Sequence, residues 1–242
     1  MTYCVGMLLD RGLVFLSDSR TNAGVDHINT FRKMTVWEQP GERVLVLLSA
    51  GNLAVSQSVV TLLNERIAAG DKEASLVTAA NLFDAATCVG EAIREVHRRD
   101  AAALKEFGVE FNTTLILGGQ IPGEAPRLFS IYSAGNFIEA SRDTPYFQIG
   151  ESKYGKPILD RVINPNSSLD EAAKCALISM DSTIRSNLSV GLPLDLLYYN
   201  RDEFRVARHV SIGSDDAYFA MIRKRWGEEL RRVFQDLPHP HW

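Results

Sequence analysis

Residues 2–20, TYCVGMLLDRGLVFLSDSR, decide the fold of this chain. The apolar runs at 3–9 and 12–17 flank the polar pair Asp10 and Arg11, a pattern that predicts a β-hairpin. The first strand would then begin only two residues from the start of the chain. A strand in that position has almost no flexible segment before it, so we expect the sheet to hold the first side chains and the terminal amine in place.

Blocks of strands and blocks of helices alternate along the rest of the sequence. A second strand pair is predicted at 31–38 (FRKMTVWE), with Lys33 inside the strand, and at 43–51 (RVLVLLSAG). Helical periodicity follows, with Asn52 as a candidate N-cap for the first helix, and Ser168 and Glu171 have the spacing of a capping box. The later segments are predicted as helices at 52–70, 75–108, 168–187 and 214–234 and as strands at 113–120, 127–135, 146–151, 192–200 and 207–213.

This order of elements predicts the fold class. Strand blocks separated by helix pairs do not alternate as βαβ units do, so a doubly wound parallel sheet is disfavoured. We predict an α+β protein, a four-layer αββα sandwich of two mostly antiparallel sheets with helices outside. No Pro-, Gly- or Ser-rich linker or charge block divides the sequence, so residues 1–242 are predicted to form a single domain.

Composition argues against several classes of protein. The net charge of −4 gives no basic field for nucleic acid, and no apolar run approaches the 18 residues of a membrane span. Three cysteines without CxxC spacing and five scattered histidines give no disulfide framework, metal site or cofactor motif. P-loop, HExxH and GxSxG motifs are absent from the sequence as well. The start lacks the basic region and long apolar run of a secretory leader, so we expect a cytoplasmic protein.

Thr2 is the candidate nucleophile. A small residue in second position generally allows the initiator methionine to be removed, which would leave Thr2 with a hydroxyl and a free α-amine on adjacent atoms. An α-amine titrates near about 7.7–8.0, so at neutral pH it can act as the general base for that hydroxyl. The alternative is that Thr2 is a β-branched residue that only opens a strand.

Several segments resemble the β-type subunits of the proteasome, which are N-terminal nucleophile hydrolases. They are the MTYC start, SDSRTNAGVD at 17–26, FRKM at 31–34, SAGNLA at 49–54 and SNLSVGLP at 186–193. In detail the chain is similar to the ancestral β-subunit branch of the bacterial homologues, called Anbu, with no propeptide. The resemblance covers essentially the whole chain in element order and implies the same sandwich fold.

The resemblance also implies roles for four residues. Thr2 would be the nucleophile, and Lys33 would place positive charge beside it. Asp18 would hold that lysine and offset its charge. The N–H of Gly51 would donate to the developing oxyanion. Without the resemblance, Asp18 and Lys33 would be interpreted as an ordinary solvated ion pair.

Substrate contacts are implied in the same way. Arg20, Thr21 and Asn22 correspond to the segment that lines the cleft and binds the peptide as an added strand. Ser49 stands at the floor of the main specificity pocket, where a small polar residue admits a fairly large side chain.

Two motifs depart from the family pattern. Ser186 stands where the family has its second acid, and Asp181 is the alternative source of that charge, whereas Ser189 is kept. The family's GSG is GES here, so its serine is either replaced by Glu151 or supplied by Ser152.

The function predicted is that of a threonine endopeptidase subunit in a self-assembling, proteasome-like homo-oligomer, either a ring or an open helical array. It would cleave peptides or unfolded proteins through an acyl-enzyme on Thr2, without a cofactor. The alternatives are an amidohydrolase acting on a small amide and a non-catalytic shell protein. An inert shell does not need Thr2, Asp18 and Lys33 together, which argues against the last.

Overall fold

The computed structural model describes residues 2–22, 28–70 and 75–242. These residues form twelve strands and five helices. The first half of the chain contributes β1 (Tyr3–Leu9), β2 (Gly12–Asp18), β3 (Arg20–Asn22), β4 (Ile28–Thr30), β5 (Met34–Gln39), β6 (Arg43–Gly51), α1 (Leu53–Ala68), α2 (Leu82–Glu106) and β7 (Thr113–Gln120). The second half contributes β8 (Arg127–Ile131), β9 (Phe137–Glu139), β10 (Tyr146–Gly150), α3 (Lys156–Val162), α4 (Leu169–Ser186), β11 (Leu194–Asn200), β12 (Arg208–Ile212) and α5 (Ala217–Asp236).

Ten of these strands form two antiparallel sheets. One sheet has the order β10-β1-β2-β11-β12, and the other has the order β5-β6-β7-β8-β9. The short strands β3 and β4 pair with each other beside them. The hairpin predicted from residues 2–20 is confirmed, since Cys4 pairs with Ser17 and Leu9 pairs with Gly12.

The two sheets pack face to face, and each is covered by helices on its other face. Phe15 and Leu48 meet in the apolar layer between the sheets. Tyr3, Val5 and Met7 belong to the core shared with α3, α4 and α5. A third core joins the second sheet to α1 and α2. Because β1 and β2 are buried on both faces, their sequences are apolar at nearly every position, and the predicted αββα sandwich is confirmed.

The helix caps account for where several elements begin. Asn52 accepts hydrogen bonds from the first turn of α1, and Ser168 and Glu171 form the predicted capping box of α4. The helix predicted from residue 75 begins only at Leu82, because the Asn81 side chain caps it there by accepting from the Asp84 N–H.

Three parts of the strand and helix prediction are wrong. Lys33 lies just before β5, which begins at Met34, and not inside a strand. The short strands β3, β4 and β9 were not predicted. Neither was α3, whose N-cap Gly155 makes no side-chain hydrogen bond, although Pro157 stands in its first turn. Within the described residues, no helix is both long enough and apolar enough to cross a membrane.

Candidate active site

The backbone of Thr2 is held from both sides. Its carbonyl oxygen accepts a hydrogen bond from the Glu151 N–H at 2.7 Å, which continues the β1–β10 ladder by one residue. On the other side the Tyr3 N–H donates to Asp18 Oδ1 at 3.0 Å. Thr2 is only 9% exposed. The expectation that the sheet holds the first residues in place is met for Thr2 and Tyr3.

Tyr3 anchors the start of β1 on the helix side of the sheet. Its hydroxyl shares a hydrogen bond with Ser179 Oγ at 2.5 Å and accepts one from Gln148 Nε2 at 2.7 Å. Burial raises the pKa of Tyr3, so the phenol stays neutral in this network. No local pattern predicts this anchor, because Ser179 lies 176 residues away along the chain.

Asp18 and Lys33 form a buried ion pair. Lys33 Nζ lies 2.7 Å from Asp18 Oδ1 and donates to the Arg20 carbonyl oxygen at 2.6 Å. The Gly191 N–H donates to the other carboxylate oxygen at 3.4 Å. The side chains are 0% and 6% exposed, so this is not the solvated surface pair that the sequence alone would favour. Burial raises the pKa of Asp18, while the ammonium and two backbone N–H groups oppose that rise.

A cavity of about 550 Å³ opens beside this pair. It brings together the nucleophile candidate, the lysine, the oxyanion candidate and part of the expected cleft. The lining residues are Thr2, Arg20, Thr21, Lys33, Ser49, Ala50, Gly51, Leu53, Ser56, Asn112, Thr114 and Gly150. Asn22 contributes backbone to β3, and its side chain lies outside the described residues.

Two glycines shape this cavity through their backbone conformation. Gly51 ends β6 with φ +113°, and a β-carbon there would lie 2.5 Å from the Asn112 carbonyl oxygen. Gly150 ends β10 with φ +81°, and a β-carbon there would overlap the carbonyl of Thr2. Both values lie in the left-handed region, where only glycine is unstrained. Glycine at position 150 therefore lets the end of β10 approach the Thr2 carbonyl closely.

The two departures from the family pattern meet next to this cavity. Asn187 Nδ2 donates to Glu151 Oε2 at 3.1 Å, and the Ser189 N–H donates to Asn187 Oδ1 at 3.0 Å. Arg20 Nη1 reaches the same loop through the Leu188 carbonyl oxygen at 3.1 Å. Asn187 was not singled out from the sequence, although it lies inside the SNLSVG segment.

The other candidate residues from the two departing motifs do not line the cavity. Ser186 is exposed at the last residue of α4. Asp181 is 1% exposed, and its two carboxylate oxygens accept from Arg185 Nε at 3.1 Å and Arg223 Nε at 2.9 Å. Ser152 is half-buried and follows Glu151 directly. The described residues lining the cavity include none of these three.

Solved structures of similar proteins identify the family. Anbu (ancestral β-subunit) from Yersinia bercovieri is 57% identical, covers 99% of each chain and superposes with a TM-score of 0.93. The chain belongs to the Anbu family. An Anbu (Gly-1) mutant from Hyphomicrobium sp. strain MC1 is 53% identical over all of both chains, with a TM-score of 0.93. The helical assembly of the Anbu complex from Pseudomonas aeruginosa is 52% identical over 99% of this chain and 98% of that one, with a TM-score of 0.94.

Searches of family models and of curated proteins returned no match. The resemblance to Anbu is nonetheless confirmed, because identity above half extends over the full length of these structures. As an Anbu protein the chain is a proteasome-like subunit, and its four-layer sandwich is of the N-terminal nucleophile hydrolase type.

Proposed function

We propose that this Anbu subunit is a threonine endopeptidase whose nucleophile is Thr2 after removal of Met1. The observation that carries the proposal is the buried Asp18–Lys33 ion pair at the cavity that Thr2 lines. A buried pair costs several kcal/mol per ion to desolvate, and hydrophobic residues of similar volume are often as stabilising. Its presence at the cavity that Thr2 lines is therefore better explained by chemistry than by stability.

The reaction would proceed in two halves. The α-amine of Thr2 accepts the proton of the hydroxyl as Oγ1 attacks the peptide carbonyl, and it returns that proton to the leaving amine. The resulting ester on Thr2 is then hydrolysed by water, with the same amine as the base. The positive charge of Lys33 favours both the neutral amine and the alkoxide-like oxygen.

Gly51 would stabilise the tetrahedral intermediate through its N–H. Removing one such donor costs about 2.7–4 kcal/mol of transition-state stabilisation in another hydrolase. The left-handed conformation of Gly51 supports this role, because it sets the backbone direction at the end of β6 beside the cavity.

Arg20, Thr21 and Asn22 would bind the substrate backbone along β3, as an added strand. The side chain before the scissile bond would enter the part of the cavity floored by Ser49. That part is also lined by Leu53, Ser56, Asn112 and Thr114. Because the described residues that line the cavity include no carboxylate, we expect neutral side chains to be preferred over basic ones.

We also propose that the subunit works in the cytoplasm as part of a homo-oligomer that confines its sites, acting on peptides or unfolded proteins. The Pseudomonas aeruginosa relative forms a helical assembly, which supports an open array over a closed ring. Head-to-tail contacts give a ring when the rotation closes and a helix when it does not.

Intact mass spectrometry combined with covalent labelling tests the peptidase proposal. We expect the mature chain to begin at Thr2 and to gain one adduct from a peptide epoxyketone, which requires both the hydroxyl and the α-amine. Thr2→Ala is the control and should gain none. A chain that retains Met1 and still hydrolyses peptides would overturn the assignment of Thr2. Profiling with peptides and with small amides separates an endopeptidase from an amidohydrolase.

A further inference from the structure

The position of Glu151 follows from the register of β1 and β10. Tyr3 pairs with Gly150, and the Glu151 N–H bond to the Thr2 carbonyl continues the ladder to the next pair. Residues opposite each other in an antiparallel ladder have β-carbons about 4.5–5.5 Å apart. Glu151 is therefore the cross-strand neighbour of the nucleophile candidate.

The same ladder gives the direction of the Thr2 nitrogen. In antiparallel strands every second pair exchanges two hydrogen bonds, so both nitrogens of that pair point toward the partner. Thr2 and Glu151 form such a pair, because the Glu151 N–H donates to Thr2, and the Leu8 N–H donates to Pro145 six residues along the same ladder. The nitrogen that becomes the α-amine is thus directed at the backbone of residue 151, from which the carboxylate side chain projects.

A bond from the facing loop holds the Glu151 side chain. Asn187 Nδ2 donates to Oε2 of the half-buried Glu151 at 3.1 Å, and Asn187 Oδ1 is itself held by the Ser189 N–H. A carboxylate has about four acceptor positions, so this one bond from the described residues leaves room for an ammonium.

The other two acid candidates, Asp18 and Asp181, are already held in ion pairs. Asp18 holds Lys33, and Asp181 holds Arg185 and Arg223. Ser186 carries no charge and is exposed.

We propose that Glu151 is a positioning residue whose carboxylate holds the α-amine of Thr2, in place of the second acid of related peptidases. This rests on the proposed function only in that Thr2 must be the N-terminus. The carboxylate stabilises the ammonium form and fixes its position beside the hydroxyl. It thereby sets the pH above which the amine can serve as the base.

Periodate oxidation reports the state of this amine without peptide hydrolysis. It cleaves the Cα–Cβ bond of an N-terminal 1,2-amino alcohol, giving a glyoxylyl terminus, acetaldehyde and ammonia while periodate is reduced to iodate. Only the neutral amine reacts, so the rate against pH gives the pKa of the amine. Intact mass spectrometry follows the loss of acetaldehyde and ammonia.

We expect Glu151→Gln to lower this apparent pKa by on the order of half a unit to one unit, because an opposite charge within about 4–6 Å favours the charged form. At pH 7 the oxidation should be about three to ten times faster than in the wild type. Asn187→Ala, which releases the carboxylate, should shift the profile in the same direction by less. Glu228→Gln removes an exposed carboxylate on α5 and should leave the profile unchanged.

The outcomes separate this inference from the peptidase proposal. Coincident profiles for Glu151→Gln and the wild type would overturn the positioning role alone. A shifted profile in protein that hydrolyses no peptide would support Glu151 and count against the peptidase. Resistance of the wild type to periodate, with Met1 retained, would overturn both. Should Glu151→Gln fail to fold, an unshifted Asn187→Ala profile would still refute the inference.

Discussion

Replacing Lys33 by methionine tests whether the stability of the fold depends on the pairing of Asp18 with Lys33. Methionine keeps most of the length of the side chain and removes the ammonium that lies 2.7 Å from Asp18. Among the described residues, the carboxylate, which is 0% exposed, then keeps only the N–H groups of Tyr3 at 3.0 Å and Gly191 at 3.4 Å as hydrogen-bond partners. Removing one member of a buried pair costs about 3–5 kcal/mol. At about 2–4 °C per kcal/mol for a chain of this size, Tm should fall by roughly 6–20 °C.

The stability lost in the Lys33→Met variant should also depend on pH. Burial already raises the pKa of Asp18 above 3.8, and loss of Lys33 raises it further. A carboxyl whose folded-state pKa is raised contributes stability that is fully present below its unfolded value and is lost as pH rises through the folded value. The Lys33→Met deficit should therefore be small near pH 4 and reach its full size by pH 8.

Denaturant unfolding followed by circular dichroism measures both effects, at fixed protein concentration so that assembly contributes equally. The double variant Asp18→Asn with Lys33→Met removes both charges and should recover most of the stability lost by the single variant. Epoxyketone labelling of Thr2 at neutral pH should be lost in Lys33→Met and should stay lost in the double variant, which separates catalysis from stability. A deficit below about 1 kcal/mol that is constant with pH would refute the coupled pair.

Three further predictions rest on other parts of the structure. Gly150→Ala should destabilise the chain by about 1–3 kcal/mol more than Gly41→Ala in thermal unfolding. Both glycines have positive φ, but only a β-carbon at Gly150 would meet the Thr2 carbonyl. Equal losses of stability in the two variants would refute this overlap. Burial raises the pKa of Cys175 to about 12 and also raises the pKa of Cys4, so both thiols stay protonated at pH 8. Because the thiolate is the reactive form, iodoacetamide should modify neither cysteine in the folded protein, as judged by peptide mass spectrometry. Light scattering should give a mass several times 26.9 kDa, and a monomer at all concentrations would contradict the proposed assembly.

The fold was predictable because its strongest signals are local. The doubly buried hairpin at 2–20 is an uninterrupted apolar pattern broken only at its turn, and the Ser168–Glu171 capping box marks the start of α4 from four consecutive residues. Elements without such signals were missed. Strand β9 has only three residues, and α3 begins at Lys156 after an N-cap, Gly155, that offers no side-chain hydrogen bond.

The candidate site was predictable only where its segments resemble a family. Asp18 and Lys33 are 15 residues apart, and nothing in their spacing alone distinguishes a buried pair from a solvated one. Asn187 and Glu151 are 36 residues apart and meet only because the loop after α4 reaches the end of β10. Cross-strand neighbours depend on register, and register depends on the whole sheet rather than on a local motif.

The arrangement of charges explains how one site can hold two cations and still work at neutral pH. In the proposed mechanism Lys33 is balanced by Asp18, and its positive charge beside Thr2 favours the neutral form of the α-amine. Under our proposal Glu151 acts on the same amine in the opposite sense and holds its charged form in place. The amine would then lie between a cation that lowers its pKa and an anion that raises it. Removing either charge should shift the pH at which Thr2 acylation begins. The shift should be downward for Glu151→Gln and upward for the loss of Lys33.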